Sequence, residues 1–431
     1  MVRALGDRLA LLVSFLVPMC VALSRTSAHG QWRGDAAALR DILLLPLGGL
    51  GGGVSTALGQ AMSVLPIGSL TYRTAVVSAV AVGFVGVSLQ RIASQLLLAL
   101  ERTDEARLDR PWFAALASLL ATLSPAFQRE ATVGGGAMLA VALALFGLER
   151  GVALLSGADE RRKMAGLALG AVAVGAAIAE GPAAGLMASL SLTVMVVMVR
   201  LGLSRAARTL IPGRVVLGVA VLVPLSFSIA ALPNALRHFA PHQALPVGRT
   251  LRPLPTALVL EPPLLEGLGR DLGLYAVALS LLGSVVLVLH PRARTLYAGL
   301  AAIVLIDFAW RTKLGASESM LGVRLLSLAA LCCASTAGLF FATRFLATLK
   351  MPAARAVAAM SVAFYATLVV LVAEHGGEQA DRASDYGAVR LTDRTLELAP
   401  PGAAVVVGSV PMTLRLLVAQ WVEGRRADVE V

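Results

Sequence analysis

The chain has 431 residues, of which 57% are hydrophobic and only 15% are charged, and its formal net charge is +11. This composition excludes an ordinary water-soluble domain, which would need more polar residues to cover its surface. It predicts a polytopic α-helical membrane protein, because a helix satisfies its own backbone N–H and C=O groups in lipid.

About eleven apolar stretches approach the roughly 20 residues that cross about 30 Å of hydrocarbon. The predicted spans are approximately residues 9–24, 73–100, 112–127, 131–149, 164–180, 183–200, 214–232, 272–290, 294–310, 320–342 and 354–374. Arg3 and Arg8 precede the first span and Thr26-Ser27-Ala28 follow it, so a cleaved signal peptide is an alternative there. We favour an uncleaved span, since the first helix of a polytopic chain starts its insertion.

The distribution of Lys and Arg predicts the orientation. With the N-terminus inside, the basic clusters near residues 102–110, 161–163, 200–214 and 344–355 face the cytoplasm, as the positive-inside rule requires. The outside then carries a loop at 25–72, a proline-rich loop at 233–271 and a tail at 375–431. The positive charge therefore reflects topology and contact with anionic membrane lipid. No interleaving of basic and aromatic residues indicates nucleic-acid binding.

Ionisable residues inside a membrane are costly, so each is a functional hypothesis by default. One arginine and five acids fall at the outside face of the predicted bundle: Arg73, Asp35, Asp41, Glu130, Glu180 and Asp307. Asp35 has the best position for a catalytic base, in a short loop at the mouth of the bundle. Asp307 lies between apolar residues and is expected to pair with Arg311 or Arg73. The alternative for Glu130 and Asp41 is a solvated, interfacial position.

The sequence after Asp41 is apolar but rich in glycine, which predicts a re-entrant or interfacial segment on the outside instead of a regular helix. Its glycine run at 48–53 lacks the Lys-Ser/Thr of a phosphate-binding loop. Cys20, Cys332 and Cys333 lie in apolar stretches and are predicted to be small buried residues. No cluster of acids, His or Cys has ligand spacing, so we predict neither a metal nor a cofactor.

The tail predicts a different kind of structure. Residues 403–407 form an apolar, β-branched run, 412–423 have helical periodicity, and 428–431 begin another extended run. Strand, helix and strand are the start of a small α/β domain outside the membrane. Because the chain stops at the second strand, we expect an incomplete domain.

Three motifs in chain order resemble one family. Ser63-Val-Leu-Pro-Ile-Gly-Ser-Leu-Thr-Tyr-Arg73-Thr-Ala-Val-Val-Ser78-Ala79 resembles its Leu-Leu-Pro-Leu-Gly … Arg-Val-Asn-Leu-Leu-Ser-Ala signature. Leu123-Ser124-Pro125-Ala126-Phe127 is similar to its Ser-Pro-Thr-Phe-Trp. The tail segments beginning at Leu398 and Gln420 resemble the stretch after its last span. This is a bacterial family of polytopic membrane proteins that also contains the animal endoplasmic-reticulum O-mannosyltransferase acting on plexin-type receptor domains.

The resemblance implies an all-α membrane bundle of the GT-C type in the bacterial cytoplasmic membrane. Such glycosyltransferases transfer a sugar, here of mannose type, from a polyprenyl-phosphate carrier to an acceptor hydroxyl at the outer face. Asp35 would be the general base and Arg73 a phosphate partner, with Glu180, Asp307, Glu130 and Asp41 around the substrate. The alternative for Arg73 is an interfacial anchor paired with an acid. The partners implied are the lipid-linked donor and membrane lipid; a protein partner is not indicated.

The sequence departs from the family where the family concentrates polar residues. Asp-Ser-Gly-Glu becomes Asp35-Ala36-Ala37-Ala38, Ala-Glu-Val-Tyr becomes Gly134-Gly135-Gly136-Ala137, and a helix histidine becomes Gly181 beside Glu180. Three functions therefore stay open: a divergent glycosyltransferase, a catalytically silent relative that binds lipid or a partner enzyme, and a transporter or flippase. Transport is the weakest, because the acids lie at one face and no internal repeat is visible.

Overall fold

The computed structural model describes residues 2–30, 38–39, 41–42, 52–101, 109–135, 137–155, 160–200, 213–239, 264–314, 321–349, 351–408, 410–421 and 423–431. Within these ranges the chain forms sixteen α-helices. In chain order they are α1 (Val2–Arg25), α2 (Gly53–Ser63), α3 (Leu70–Leu100), α4 (Arg110–Thr122), α5 (Pro125–Ala131), α6 (Met138–Leu155), α7 (Glu160–Glu180), α8 (Pro182–Arg200), α9 (Gly213–Phe239), α10 (Leu264–Leu272), α11 (Leu274–Leu289), α12 (Pro291–Leu314), α13 (Leu321–Thr348), α14 (Pro352–Ala380), α15 (Gly387–Leu398) and α16 (Val410–Trp421).

Five of the described helices are long and apolar enough to cross a membrane, judged by length and composition: Leu5–Arg25, Leu70–Leu100, Pro182–Val199, Leu321–Thr348 and Pro352–Ala380. Three shorter apolar helices accompany them, at Ala165–Glu180, Gly218–Pro233 and Leu274–Leu289. The predicted all-α polytopic bundle is thereby confirmed, and the number of eleven spans stays a prediction.

The centre of the bundle is formed by α3 and α13. Their most apolar windows are 67% and 83% buried, whereas those of α1 and α14 are 22% and 17% buried and belong to the periphery. Close helix approach depends on small residues. In the tightest pair, Gly283 of α11 faces the backbone of Ala334 and Gly338 of α13 so closely that a Cβ would overlap it. Glycine at 283 therefore permits the close approach of these two helices.

The predicted span at 112–127 is wrong as a single helix. α4 ends at Thr122, and Ser124 takes an extended conformation before Pro125 starts α5. The reason is steric, because a residue that precedes proline is pushed out of the helical region. The next helix begins at Met138 instead of 131, after a turn in which Gly135 has a φ of 67°.

The prediction for the glycine-rich segment is wrong for its second half, since residues 53–63 form a regular helix, α2. The helix starts where the glycine run ends, with Gly52 at its N-terminus in the left-handed region at φ 92°. This conformation suits glycine, which has no Cβ. Residues 43–51 lie outside the described part of the chain.

The tail contains the predicted helix as α16, but its extended runs meet in a single bridge. Ala404 and Glu430 pair in parallel, with Val405 N–H donating to Glu430 O at 2.7 Å and Glu430 N–H donating to Ala403 O at 2.9 Å. No longer strand forms in the described residues. α14 continues to Ala380, beyond the predicted end of the span at 374. The division into a membrane unit at 1–374 and an outside tail at 375–431 stays a prediction.

Candidate functional site

A small cavity lies between α2 and the ends of α3, α6 and α7. Its walls include two of the predicted acids, and the lining residues are Asp41, Ser55, Gly59, Thr74, Val77, Ser78, Gly135, Leu139 and Glu180. The cavity volume is about 10 Å³, which is room for about one water molecule. The polar groups at this end of the bundle therefore lie close together around a small space.

Glu180, the last residue of α7, holds the N-terminus of α2. One of its carboxylate oxygens accepts a hydrogen bond from Ser55 N–H at 2.9 Å, and its backbone carbonyl accepts one from Gly52 N–H at 3.0 Å. The first amides of a helix have no partner within the helix, and its dipole favours a negative charge there. Glu180 thus supplies from another helix the cap that the glycine run does not provide.

Asp41 is fixed to the side of the same helix. It is 1% exposed, and its Oδ1 lies 3.1 Å from the Thr56 hydroxyl, while its backbone carbonyl accepts a hydrogen bond from Gln60 Nε2 at 2.8 Å. Gly59 permits this contact, because a Cβ there would lie 2.7 Å from Cβ of Asp41. The chain segment that carries Asp41 is therefore held by one face of α2.

Arg73 lies at the other end of α2. Its Nη1 donates to Ser63 O at 2.8 Å and its Nε donates to Ile67 O at 3.0 Å, so the guanidinium holds the connection between α2 and α3. Ser69 caps α3 by accepting a hydrogen bond from Tyr72 N–H. The Arg73 guanidinium bonds to Ser63 and the Glu180 carboxylate bonds to Ser55, so the two charged groups contact points on α2 that lie about 12 Å apart along its axis.

The other predicted acids do not line this cavity. Glu130 is buried in α5 and Asp307 is buried in α12. Asp35, the predicted base, lies outside the described residues, as do residues 31–37 in general. The structure thus brings together Asp41 and Glu180 around α2, places Arg73 at the far end of that helix, and locates Glu130 and Asp307 elsewhere.

The C-terminal segment contacts the chain immediately before the predicted base. Arg382 N–H donates to Arg25 O at 2.9 Å, and the rings of His29 and Tyr386 lie 4.6 Å apart. Arg415 of α16 is almost fully buried and packs so tightly on Gly30 that a Cβ there would overlap its guanidinium. The tail therefore contacts residues 25–30, at the start of the segment predicted to be the first outside loop.

Sequence reasoning missed two charged features at this end. One is Arg415. It is a single charged residue within the helical pattern of the tail, where a charged side chain is expected to be solvated. The other is the ion pair between Asp271 at the end of α10 and Arg324 in the first turn of α13, with Nη2 to Oδ2 at 3.2 Å. A signal existed for this pair, since each residue lies within one turn of the outside end of a predicted span.

No group of three or more His, Cys, Asp or Glu side chains in the described ranges is placed to hold a metal ion. The cysteines fit the sequence interpretation in part, since Cys332 and Cys333 are buried and Cys20 is exposed.

Solved structures share the fold of this chain. The oligosaccharyltransferase of Archaeoglobus fulgidus in its apo form has a TM-score of 0.60 at 13% identity, over 98% of this chain and 64% of that protein. ArnT from Cupriavidus metallidurans in its apo state has a TM-score of 0.56 at 14% identity, over 99% of this chain and 90% of that protein. ArnT bound to undecaprenyl phosphate has a TM-score of 0.54 at 14% identity, over 96% and 84%.

No protein-family model matches the sequence, and none of the curated proteins matches it either. The chain spans about two thirds of the archaeal oligosaccharyltransferase and most of ArnT. Both are GT-C glycosyltransferases. The closer relation to the plexin-type O-mannosyltransferase stays a prediction. At this level of identity the likeness concerns the fold: the chain has the helical membrane architecture of the GT-C glycosyltransferases over nearly its whole length.

Proposed function

We propose that this protein is a membrane glycosyltransferase that takes a sugar, of mannose type, from a polyprenyl-phosphate carrier and transfers it to an acceptor hydroxyl at the outer face. The observation that carries the proposal is the similarity of fold, over 96% of the chain at a TM-score of 0.54, to ArnT bound to undecaprenyl phosphate. Such a carrier demands a bundle embedded in the membrane with polar residues gathered at one end. The described helices and the site around α2 support that requirement.

The chemistry requires a base and a place for the departing phosphate. Asp35 would take the proton of the acceptor hydroxyl, the acceptor oxygen would bond to the anomeric carbon, and the bond from that carbon to the phosphate oxygen would break. The polyprenyl phosphate leaves with the electron pair. Arg73 would stabilise this phosphate with the guanidinium N–H groups that do not serve Ser63 and Ile67.

Asp41 and Glu180 fit a positioning role better than a direct one. Both are buried and bonded to α2, so they determine where α2 and the segment before it lie. Glu130 and Asp307 stay candidate substrate contacts, because the sequence places both at the predicted outside face of the bundle. The setting we propose is the bacterial cytoplasmic membrane, with the N-terminus inside and the tail outside.

A second candidate is a catalytically silent relative that binds the lipid carrier. The observation that favours it is the commitment of Asp41 and Glu180 to the hydrogen bonds of α2, around a cavity of about 10 Å³. Such a protein would keep the fold that binds the lipid carrier, while its carboxylates hold α2 in place instead of taking part in transfer. Transport, the third possibility from the sequence, stays a prediction.

The test is binding and turnover of mannosyl polyprenyl phosphate by the purified full-length protein in detergent, beside Asp35→Asn. If Asp35 is the base, turnover falls by about 10²- to 10⁴-fold in this variant. Asp381→Asn is the matched control, because Asp381 is an exposed acid of the tail whose bond to Ala383 N–H an amide oxygen can replace. Binding without turnover in the unaltered protein would favour the silent relative, and absence of binding would contradict both candidates.

A further inference from the structure

A second, larger cavity lies along the middle of the bundle and extends away from α2. Its volume is about 500 Å³, and α6, α7, α8 and α9 contribute its walls. This volume falls in the range of small-molecule sites. α8 and α9 both pack against α7 but have few contacts with each other among the described residues, so a gap between them remains. The residues of α8 that line it run from 189 to 197, so the cavity extends over about 12 Å along the helix axes.

The walls of this cavity are apolar apart from two hydroxyls and one charge. Ser189 and Thr193 of α8 supply the hydroxyls, and each donates to a carbonyl one turn earlier in its own helix. The charge is Arg150 of α6. A long apolar cavity with a single cation in its wall is complementary to a ligand with an alkyl chain and one negative charge.

Arg150 belongs to a small charge cluster that is positive as a whole. Its Nε lies 3.2 Å from the Glu149 carboxylate, and Nη1 of Arg91 from α3 lies 3.6 Å from the same carboxylate. Two guanidiniums around one carboxylate leave a net charge of +1. The Arg150 side chain is 28% exposed, and its guanidinium also stacks 4.8 Å over the Phe146 ring, so it is held in place with part of its surface open to the cavity.

The sequence at the start of α7 is basic. The first turn of α7, which begins at Glu160, contains Arg161, Arg162 and Lys163 in the sequence. Clusters of basic residues next to membrane helices attract anionic lipids. Since the cavity extends away from Glu180 and α2, it is separate from the proposed transfer site and does not depend on transfer activity.

We propose that this cavity binds one acyl chain of an anionic phospholipid of the adjacent leaflet, with the lipid phosphate at Arg150. The cavity alone gives little preference among lipids, because an acyl chain is as well solvated in the bilayer as in the cavity. Selectivity for an anionic headgroup therefore comes from the positive cluster, and one arginine near a membrane surface corresponds to about a fivefold preference.

The experiment is a native mass spectrometry titration of the full-length protein in detergent with phosphatidylglycerol and with phosphatidylcholine of the same chains. We expect phosphatidylglycerol to bind about fivefold more tightly, Arg150→Gln to remove this preference, and Arg344→Gln to keep it. Arg344 is the matched control, because it also stacks on a phenylalanine and pairs with an acid, Asp109, but does not line the cavity.

Ala220→Phe provides a variant that leaves the charge cluster intact. It fills the cavity from α9, and we expect it to lower the number of tightly bound lipids by one. Equal binding of the two phospholipids, an unchanged preference in Arg150→Gln or an unchanged lipid count in Ala220→Phe would overturn the proposal. Displacement of phosphatidylglycerol by equimolar undecaprenyl phosphate would also overturn it, since the occupant would then be a carrier lipid.

Discussion

The buried acids around α2 and the buried acids at the opposite end of the bundle have different described partners. At the α2 end, Glu180 and Asp41 are bonded to an amide and to a hydroxyl of one short helix. At the opposite end, Glu149 lies between two arginines, and Glu101 pairs with Arg110 at 3.1 Å. Acids that accept from backbone amides determine where a helix starts, whereas acids in ion pairs hold two helices together. The difference indicates that Glu180 and Asp41 position α2, whereas Glu149 and Glu101, like Asp271 with Arg324, hold separate segments of the bundle together.

The largest effect is expected at the opposite end, from Glu149→Ala. The change leaves Arg91 and Arg150 close together without the carboxylate between them, and breaking a fully buried pair costs about 3–5 kcal/mol. Because the Arg91 side chain is 41% exposed, we expect a loss of about 2–3 kcal/mol in the free energy of unfolding. Thermal unfolding in detergent measures it. The control is Glu378→Ala, at an exposed acid of α14, which should change the free energy of unfolding by less than about 0.5 kcal/mol. A similar loss in both variants would contradict the role of this charge cluster in holding the helices together.

A smaller loss is expected at the α2 end, from Glu180→Ala. This change leaves Ser55 N–H in a buried site without its acceptor, at a cost of about 1–3 kcal/mol. Glu180→Gln keeps an acceptor oxygen and should lose less. The same unfolding measurement compares them. If the two variants lose equally, the hydrogen bond to the first turn of α2 is not the source of the effect.

The contact between α2 and Asp41 is tested by a pair of glycine substitutions with opposite signs. Gly59→Ala places a Cβ 2.7 Å from Cβ of Asp41 and should destabilise by about 1–2 kcal/mol through overpacking. Gly218→Ala in α9 has no atom within 4 Å of its Cβ and should stabilise by about 0.5 kcal/mol, as alanine does in a helix. Two changes of the same sign would argue against the close packing of α2 on Asp41.

The smallest effect concerns the exposed ion pair of the tail, which differs from both buried ends. The Arg426 guanidinium, hydrogen-bonded to Asp428 at 2.9 Å, lowers the pKa of that carboxyl from 3.8 to about 2. Since the folded pKa is the lower one, this contribution is present above about pH 4 and is lost as the pH falls towards 2. The Gly402 amide donates to Asp428, so its protection from hydrogen exchange, measured against an unstructured peptide at the same pH, should fall in that window. Asp428→Asn at the same pH values is the reference, and an identical pH dependence in both proteins would exclude the pair as its cause.

Features that depend on a continuous local pattern were predicted well. The long apolar runs became helices, and the tail helix α16 appeared at Val410–Trp421 within two residues of its predicted range. The break at Pro125 was missed, although the proline was visible, because the apolar pattern continues through it. For the same reason the start of α6 was predicted at 131 instead of Met138. The helix α2 was missed for the opposite reason, since glycine lowers helix propensity but tertiary contacts outweigh it.

For the candidate site, the sequence identified which charged residues are unusual but not what they contact. Asp41 and Glu180 were predicted as acids near one face of the membrane; the structure places both at α2, a shared partner that was not foreseen. Arg73 was expected to meet phosphate or an acid, and its described partners are two backbone carbonyls. The assignment of Asp35 as the base stays a prediction, because Asp35 lies outside the described residues.

The sequence by itself determined the membrane class and the helical architecture, because the length and apolarity of a span are properties of consecutive residues. Only the tertiary structure decided how the polar groups are satisfied. The bond from Ser55 to Glu180 joins residues 125 positions apart, and the contact of Arg415 with Gly30 joins the tail to the first outside loop. A buried polar group must find a partner somewhere in the fold, and its position along the chain does not say where.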